Sequence, residues 1–383
     1  MGNTLKDKPL EGVLVIDFSQ FLSGPSAGLR LADLGARVIK IERPETGDIC
    51  RTLYISNLEM DGDSSIFHAI NRNKESFACD LKNTEDILKL KELLKKADVV
   101  IQNFRPGVME KLGFDYEAVK GFNPSVVYGQ VTGYGTEGPW KDKPGQDLLV
   151  QARSGLVWLS GNDQPSPLGL SIVDMAAGVQ LTQGILAALV RKSISGQGAL
   201  VEVSLLESIL DFQVEGLSIY LNENDRNLPL VVPPNDNVHS PFGIYETADG
   251  YLTLVDGPPA TLVKIIGRPD LADAFKDRET EILKAREIKR IISSHFKRKP
   301  KKELLKLLDE NGMEASEVFT WNQLIQHEGF QVLDMLQEVK RTNGMSMLTT
   351  RCPIRIDGQI YKAGKGSPRL GEDTLTILKE FVP

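Results

Sequence analysis

The chain is poor in the residues that staple, chelate or grip nucleic acid. Its three cysteines (Cys50, Cys79, Cys352) among 383 residues stand apart, with no C-x-x-C. That excludes a disulfide scaffold and fits a reducing compartment. The four histidines (His68, His239, His295, His327) are scattered, none in an H-E-x-x-H or His/Cys spacing, so no metal site is expected. A net charge of −7 lacks the basic footprint of a nucleic-acid binder. The richest apolar run, Gly184–Val190, is far short of the ~20 residues of a membrane span. Met1–Lys8 is polar with no apolar segment behind it, unlike a signal peptide. A soluble, cytoplasmic protein is therefore expected, with neither membrane nor nucleic acid as partner.

Glycine is also missing where a dinucleotide would need it. Gly133-Tyr-Gly-Thr-Glu-Gly138 matches G-x-G-x-x-G literally, but Pro139 and Trp140 follow where a helix should begin. The first β-α turn, Ser19–Pro25, carries only Gly24. A nicotinamide or flavin oxidoreductase is thereby disfavoured.

What is present is ordinary globular material, 41% apolar and 25% charged, over a length that suggests two or three units. Strand and helix patterns alternate in the first half. Val13–Phe18, Ala36–Glu42, Asp98–Gln102 and Ser125–Val131 read as strands. Ser26–Leu34, Thr84–Lys96 and Tyr116–Lys120 read as helices. The alternation predicts an α/β fold with a doubly wound parallel sheet. A Gly/Pro-rich loop, Thr132–Gln146, then precedes an unusually apolar helix, Asp174–Lys192. After it come a strand (Leu200–Ser204) and a helix (Leu205–Asn222). Glu223–Pro241 reads as a linker, Ala248-Asp-Gly250 as a hairpin turn, and 260–312 as charged helix. A second hairpin is expected from Arg351–Ile356 and Gly358–Tyr361, before a short final helix.

Three constellations carry chemistry. Asp174 opens the apolar helix. It reads either as an N-cap or as a carboxylate kept ionised by the helix dipole and free N–H groups, which could serve as a nucleophile. Arg43, Arg105 and Lys111 stand at or just after strand ends, as surface charges or together as a phosphate grip. Asp147, in Gly145-Gln-Asp-Leu-Leu-Val-Gln151, is a helix cap or a site residue.

Several segments together resemble the class III CoA-transferase (CaiB–BaiF) family. They include Leu10-Glu-Gly-Val-Leu-Val-Ile-Asp-Phe18, Gly35-Ala-Arg-Val-Ile-Lys-Ile-Glu-Arg43 and Asn73-Lys-Glu-Ser76 through Asp80-Leu-Lys82. Ala97-Asp-Val-Val-Ile-Gln-Asn-Phe-Arg-Pro-Gly107, Lys111-Leu-Gly-Phe114, Gly196-Gln-Gly198 and Pro368-Arg-Leu-Gly-Glu372 continue the match in order. The resemblance implies a large Rossmann-like CoA-binding domain from residues 1–222 and 325–383. It also implies a smaller α+β domain with linkers over 223–324, and an interlocked homodimer. Asp174 falls on the catalytic position. Leu22, Ser23, Arg43, the Cys79, Asp80, Leu81 and Lys82 stretch, Asn103, Phe104, Arg105 and Lys111 fall on CoA contacts, with Asp147 beside them.

The implied activity moves CoA from an acyl-CoA to a free carboxylic acid through aspartyl anhydride and aspartyl-CoA. Coenzyme A and acyl-CoA are then substrates, with no tightly bound cofactor and no metal. An α-methylacyl-CoA racemase is the nearest alternative, but its histidine base falls on Gln146, and an amide cannot shuttle that proton. A non-catalytic CoA-binding protein is the other. Leu22 stands where some members carry glutamine, and Pro144 near a lysine of oxalate-using members, departures that argue against formate and oxalate as substrates.

Overall fold

The computed structural model describes residues 8–54, 58–159, 164–222, 241–276 and 278–382. It is an α/β protein in two compact units. The first comprises Met1–Ser154, Pro167–Glu215 and Asp334–Pro383, the second Gly155–Ser166 and Gly216–Leu333.

In the first unit, β1 (Leu14–Asp17), α1 (Ser23–Asp33) and β2 (Arg37–Glu42) form the expected opening β-α-β. A small hairpin of β3 (Glu59–Met60) and β4 (Asp63–Ser64) leads to α2 (Ser65–Asn71) and β5 (Glu75–Ala78). Next come α3 (Thr84–Lys96), β6 (Val99–Gln102), α4 (Val108–Leu112), α5 (Tyr116–Phe122) and β7 (Val127–Thr132). α6 (Asp147–Arg153), α7 (Ile172–Ser195), β8 (Ala199–Ser204) and α8 (Leu205–Phe212) follow.

Six strands pair in parallel in the order β5-β2-β1-β6-β7-β8. The central ones are apolar runs because helices cover both faces; Val15, Ile16, Val99 and Val100 have no exposed surface. α3 shows the local logic of a surface helix. Asn83 caps its first amides, Glu85 and Asp86 sit in the first turn, and Lys95 and Lys96 in the last. The strand order reverses between β1 and β6, and ligands of open α/β sheets bind outside the strands' carboxyl ends at such a switch.

Several expectations needed correction. The helix expected over Leu205–Asn222 breaks at Gln213 into α8 and α9 (Val214–Asn222). α7 starts at Ile172, two residues before Asp174. It is also long and apolar enough to cross a membrane by length and composition, because Gln, Thr and Gly interrupt its apolar residues without adding charge. It packs instead on α1, α8, β7 and β8 as a layer of the sheet.

The second unit has its own antiparallel sheet of β9 (Gly243–Thr247), β10 (Gly250–Asp256) and β11 (Glu314–Glu317). The expected hairpin is there, its turn fixed by Asp249, which accepts from the Lys301 amide at 2.7 Å. Tyr245, Leu252 and Leu254 pack against Ile288, Ile292, Phe296, Leu304 and Leu308 of the helices Arg278–Phe296 and Lys301–Glu310. The expected linker lies outside the described residues except for Pro241.

Residues 334–383 return to the first unit. They add a hairpin that the sequence did not reveal, β12 (Leu336–Lys340) with β13 (Ser346–Thr350), and the expected one in shortened form, β14 (Arg355–Ile356) with β15 (Gln359–Ile360). The final helix, Thr374–Phe381, sends Ile377 and Phe381 into the core beside β5 and α3.

Candidate active site

α1 and α7 lie against each other close to the switch point. Their approach depends on Gly178. A Cβ there would stand 2.0 Å from Ser26 Oγ and 2.8 Å from the Ser23 carbonyl. Side chains of this size at the crossing would hold the helices apart. The packing brings Ser23, first residue of α1 and only 4% exposed, within hydrogen-bonding reach of Asp174 in the first turn of α7.

The turn carrying Ser23 is held from both sides. Asn103, just beyond β6, accepts from the Gln20 amide at 2.8 Å and donates to the Gln20 carbonyl at 2.7 Å and to Ser23 Oγ at 3.4 Å. Phe21 adopts a left-handed φ of 62°, an unfavourable conformation for a bulky residue, and its amide donates to Asp48 at 3.2 Å. Beneath the turn lies a buried ionic network. Lys74 pairs with Asp17 at 2.9 Å, and Lys40 pairs with Asp48 at 2.8 Å and donates to the Ser19 carbonyl at 2.6 Å. Burial opposes the charge on Asp17, yet Lys74 and Lys40 beside it win and hold its carboxyl below the usual range. Glu42 and Arg51 extend the network to Asp63, which also pairs with Arg341.

Asp174 sits differently from its expected environment. The free amides at the mouth of α7 do not serve it: Asp147 Oδ2 accepts from Val173 N at 2.9 Å and from Asp174 N at 3.0 Å. Burial, then the neighbouring charge of Asp147, push the Asp174 carboxyl up to about 7, offset in part by the Ser23 hydrogen bond. The expectation of a carboxylate kept ionised by helix amides is thus corrected. It is a half-buried, basic carboxylate, charged in only part of the population at neutral pH.

The pattern of CoA-transferase family III matches residues 10–374. The chain is 32% identical to the succinate–glutarate CoA-transferase of Agrobacterium fabrum, covering 97% of this chain and 96% of that protein. It is 30% identical to the acetyl-CoA:oxalate CoA-transferase of Acetobacter aceti, over 97% and 96% respectively. Among solved structures, a CaiB/BaiF family protein from Brucella suis superposes with a TM-score of 0.86 at 27% identity, covering 98% of this chain and all of that one. The chain belongs to CoA-transferase family III.

The expected CoA contacts of the transferase gather at one edge of its sheet. Leu22 and Ser23 follow β1, Arg43 follows β2, Cys79 to Lys82 follow β5, and Asn103 to Arg105 follow β6, with Lys111 on α4. These are the carboxyl ends of four adjacent strands. Arg43, Lys82, Arg105 and Lys111 are exposed and, among the described residues, in no ion pair. Other members of the set face inward. The Cys79 thiol is buried in the core, pushed up to about 12 by burial and by Asp86 and Asp80, so its side chain is no ligand contact. Leu81 and Phe104 pack against that core, and Leu22 against Cys50, Phe67 and Ile70. Asp80 accepts from the Lys82 amide at 2.9 Å, shaping the loop.

Asp147, expected beside the CoA contacts, spends its carboxylate on α7 and on Gln151, whose Nε2 donates to Oδ1 at 2.6 Å. Gln151, last residue of the Gly145–Gln151 motif, was given no role from the sequence. Its spacing of four from Asp147 on one helix was the available signal.

Proposed function

We propose that the chain transfers CoA between carboxylic acids with Asp174 as the nucleophile. The observation that carries this reading is a half-buried carboxylate at a helix mouth, beside the Ser23 hydroxyl and flanked by the switch-point loops. The Asp174 carboxylate attacks the acyl-CoA carbonyl; the C–S bond breaks, leaving a mixed anhydride and CoA thiolate. The thiolate attacks the aspartyl carbonyl, releasing the donor acid and forming aspartyl-CoA. The acceptor carboxylate attacks this thioester, freeing the thiolate and making a second anhydride. The thiolate then attacks the acceptor's acyl carbon and restores Asp174. Holding the thiolate beside the anhydride supplies rate, since well-placed groups reach effective molarities of ~10⁵–10⁸ M. Excluding water protects the anhydride.

Arg43, Lys82, Arg105 and Lys111 line the edge where the CoA phosphates would lie. The relatives' names point to short dicarboxylates, so we assign succinyl-CoA as donor class and a dicarboxylic acid as acceptor. The enzyme works in the cytoplasm as an interlocked homodimer. α9 supports the dimer: it exposes Leu217, Ile219 and Leu221 and buries none of its residues. Gln146, exposed and lacking a base, disfavours racemisation.

The test is a screen of acyl-CoA and free-acid pairs by mass spectrometry, with hydroxylamine added during turnover. Aspartyl hydroxamate on the peptide bearing Asp174 is expected. An unmarked peptide, or continued exchange by Asp174→Ala, would sink the reading.

A further inference from the structure

We infer that Asp147 is a positioning residue for Asp174: by occupying the amides at the mouth of α7, it keeps the nucleophile's own carboxylate off its helix. The inference rests on Asp174 being the nucleophile.

A helix leaves its first four N–H groups without partners, and an aspartate in the first turn ordinarily reaches back to them. An Asp174 carboxylate bound that way would have its lone pairs committed and its basicity lowered, which makes a poor nucleophile. The structure shows another arrangement. One oxygen of Asp147 takes the amides of both Val173 and Asp174, at 2.9 and 3.0 Å. Its other oxygen is fixed by Gln151 Nε2 at 2.6 Å. Gln151 is 2% exposed and has no freedom to turn away: its Oε1 accepts from Leu168 N at 3.0 Å, and its Nε2 reaches the Leu170 carbonyl at 3.4 Å. α6 is thus a bracket that caps a helix beginning about twenty residues later, while Ser171, that helix's own N-cap, makes no side-chain cap.

What remains for the Asp174 carboxylate is the Ser23 hydroxyl from α1. Among the described residues, Asp147 is the charged group that acts on it, with no cation opposing. Asp147 therefore does two things. It frees the reacting oxygens, and its like charge raises their affinity for a proton and for an acyl carbon alike.

The decisive measurement is the pH dependence of kcat/KM for Asp147→Asn, using the donor–acceptor pair found in the screen and the full-length enzyme. The acid limb should move down by about one pH unit. The alkaline plateau should fall, by about tenfold, as Asp174 becomes less basic. Because asparagine would set its NH₂ against Gln151 Nε2, Asp147→Asn with Gln151→Glu is measured in parallel. The glutamate accepts from both the new amide and Leu168 N, which preserves the fold while moving the charge one turn along α6. This double variant should also show an acid displacement, smaller than that of the single one. Unchanged acid limbs in both variants would overturn the inference, leaving Asp147 a structural cap. That result is separable from failure of the nucleophile itself, which would show as persistent exchange by Asp174→Ala.

Discussion

Replacing Asp174 with asparagine should stabilise the folded enzyme, and by an amount that depends on pH in a defined way. The unfolded carboxyl titrates near 3.8 and the folded one near 7. Between those values the folded chain holds a proton that the unfolded chain has released. Folding stability contributed by this group is therefore complete below about pH 4, declines as pH rises, and is lost by about pH 7. Each pH unit is worth about 1.4 kcal/mol. The asparagine variant, which cannot ionise, escapes that loss. Its advantage over the parent should be about 1.5 kcal/mol at pH 5, about 3 at pH 6, and level off near 4 above pH 7. Urea unfolding of both proteins across that range gives the curve directly. A difference that is flat from pH 5 to 8, or a parent that gains on the variant as pH rises, would refute the account of a carboxylate destabilised by burial and by Asp147. If Asp174 is the nucleophile, as proposed, the same variant should be catalytically dead.

Two further outcomes follow from the helix crossing and the cationic edge. Gly178→Ala should destabilise the first unit by about 1–3 kcal/mol, because the added methyl meets Ser26 Oγ and the Ser23 carbonyl; thermal unfolding measures the loss, and activity should fall with it as Ser23 is displaced. Arg43→Gln or Lys111→Gln should raise KM for acyl-CoA about tenfold with kcat nearly unchanged, and the effect should shrink at high salt; a change confined to kcat would refute a role in phosphate binding.

The sheet was legible where strands are buried on both faces. The runs at Val13–Phe18, Ala36–Glu42 and Asp98–Gln102 need no partner to be recognised. β5 was not, since Glu75-Ser-Phe-Ala is short and half polar, and its place depends on Asp373 and Thr374, which bond the Ser76 and Ala78 amides at 2.8 and 2.9 Å. β12 and β13 are similarly polar and exposed on one side. Asp174 could be singled out because it stands at the start of a long apolar run. Its electrostatics could not, because they come from Asp147, twenty-seven residues earlier, and from Ser23 on another helix. Local pattern locates a helix mouth; only tertiary structure shows which side chain fills it.

The ionic floor under the Ser19–Ser23 turn has a bearing on how the enzyme comes into being. Arg51 reaches the Pro368 carbonyl across 317 positions, and Arg341 closes on Asp63 across 278. Contacts of such sequence separation form late, after the entropy of closing long loops has been met. A chain cut before Asp334 would keep Asp174 and the expected CoA-contact positions yet lack the clamp behind them. Catalytic competence should thus arrive last in folding and fade first when the 334–383 segment loosens, so activity itself serves as a gauge of whether the distant parts of the large unit have met.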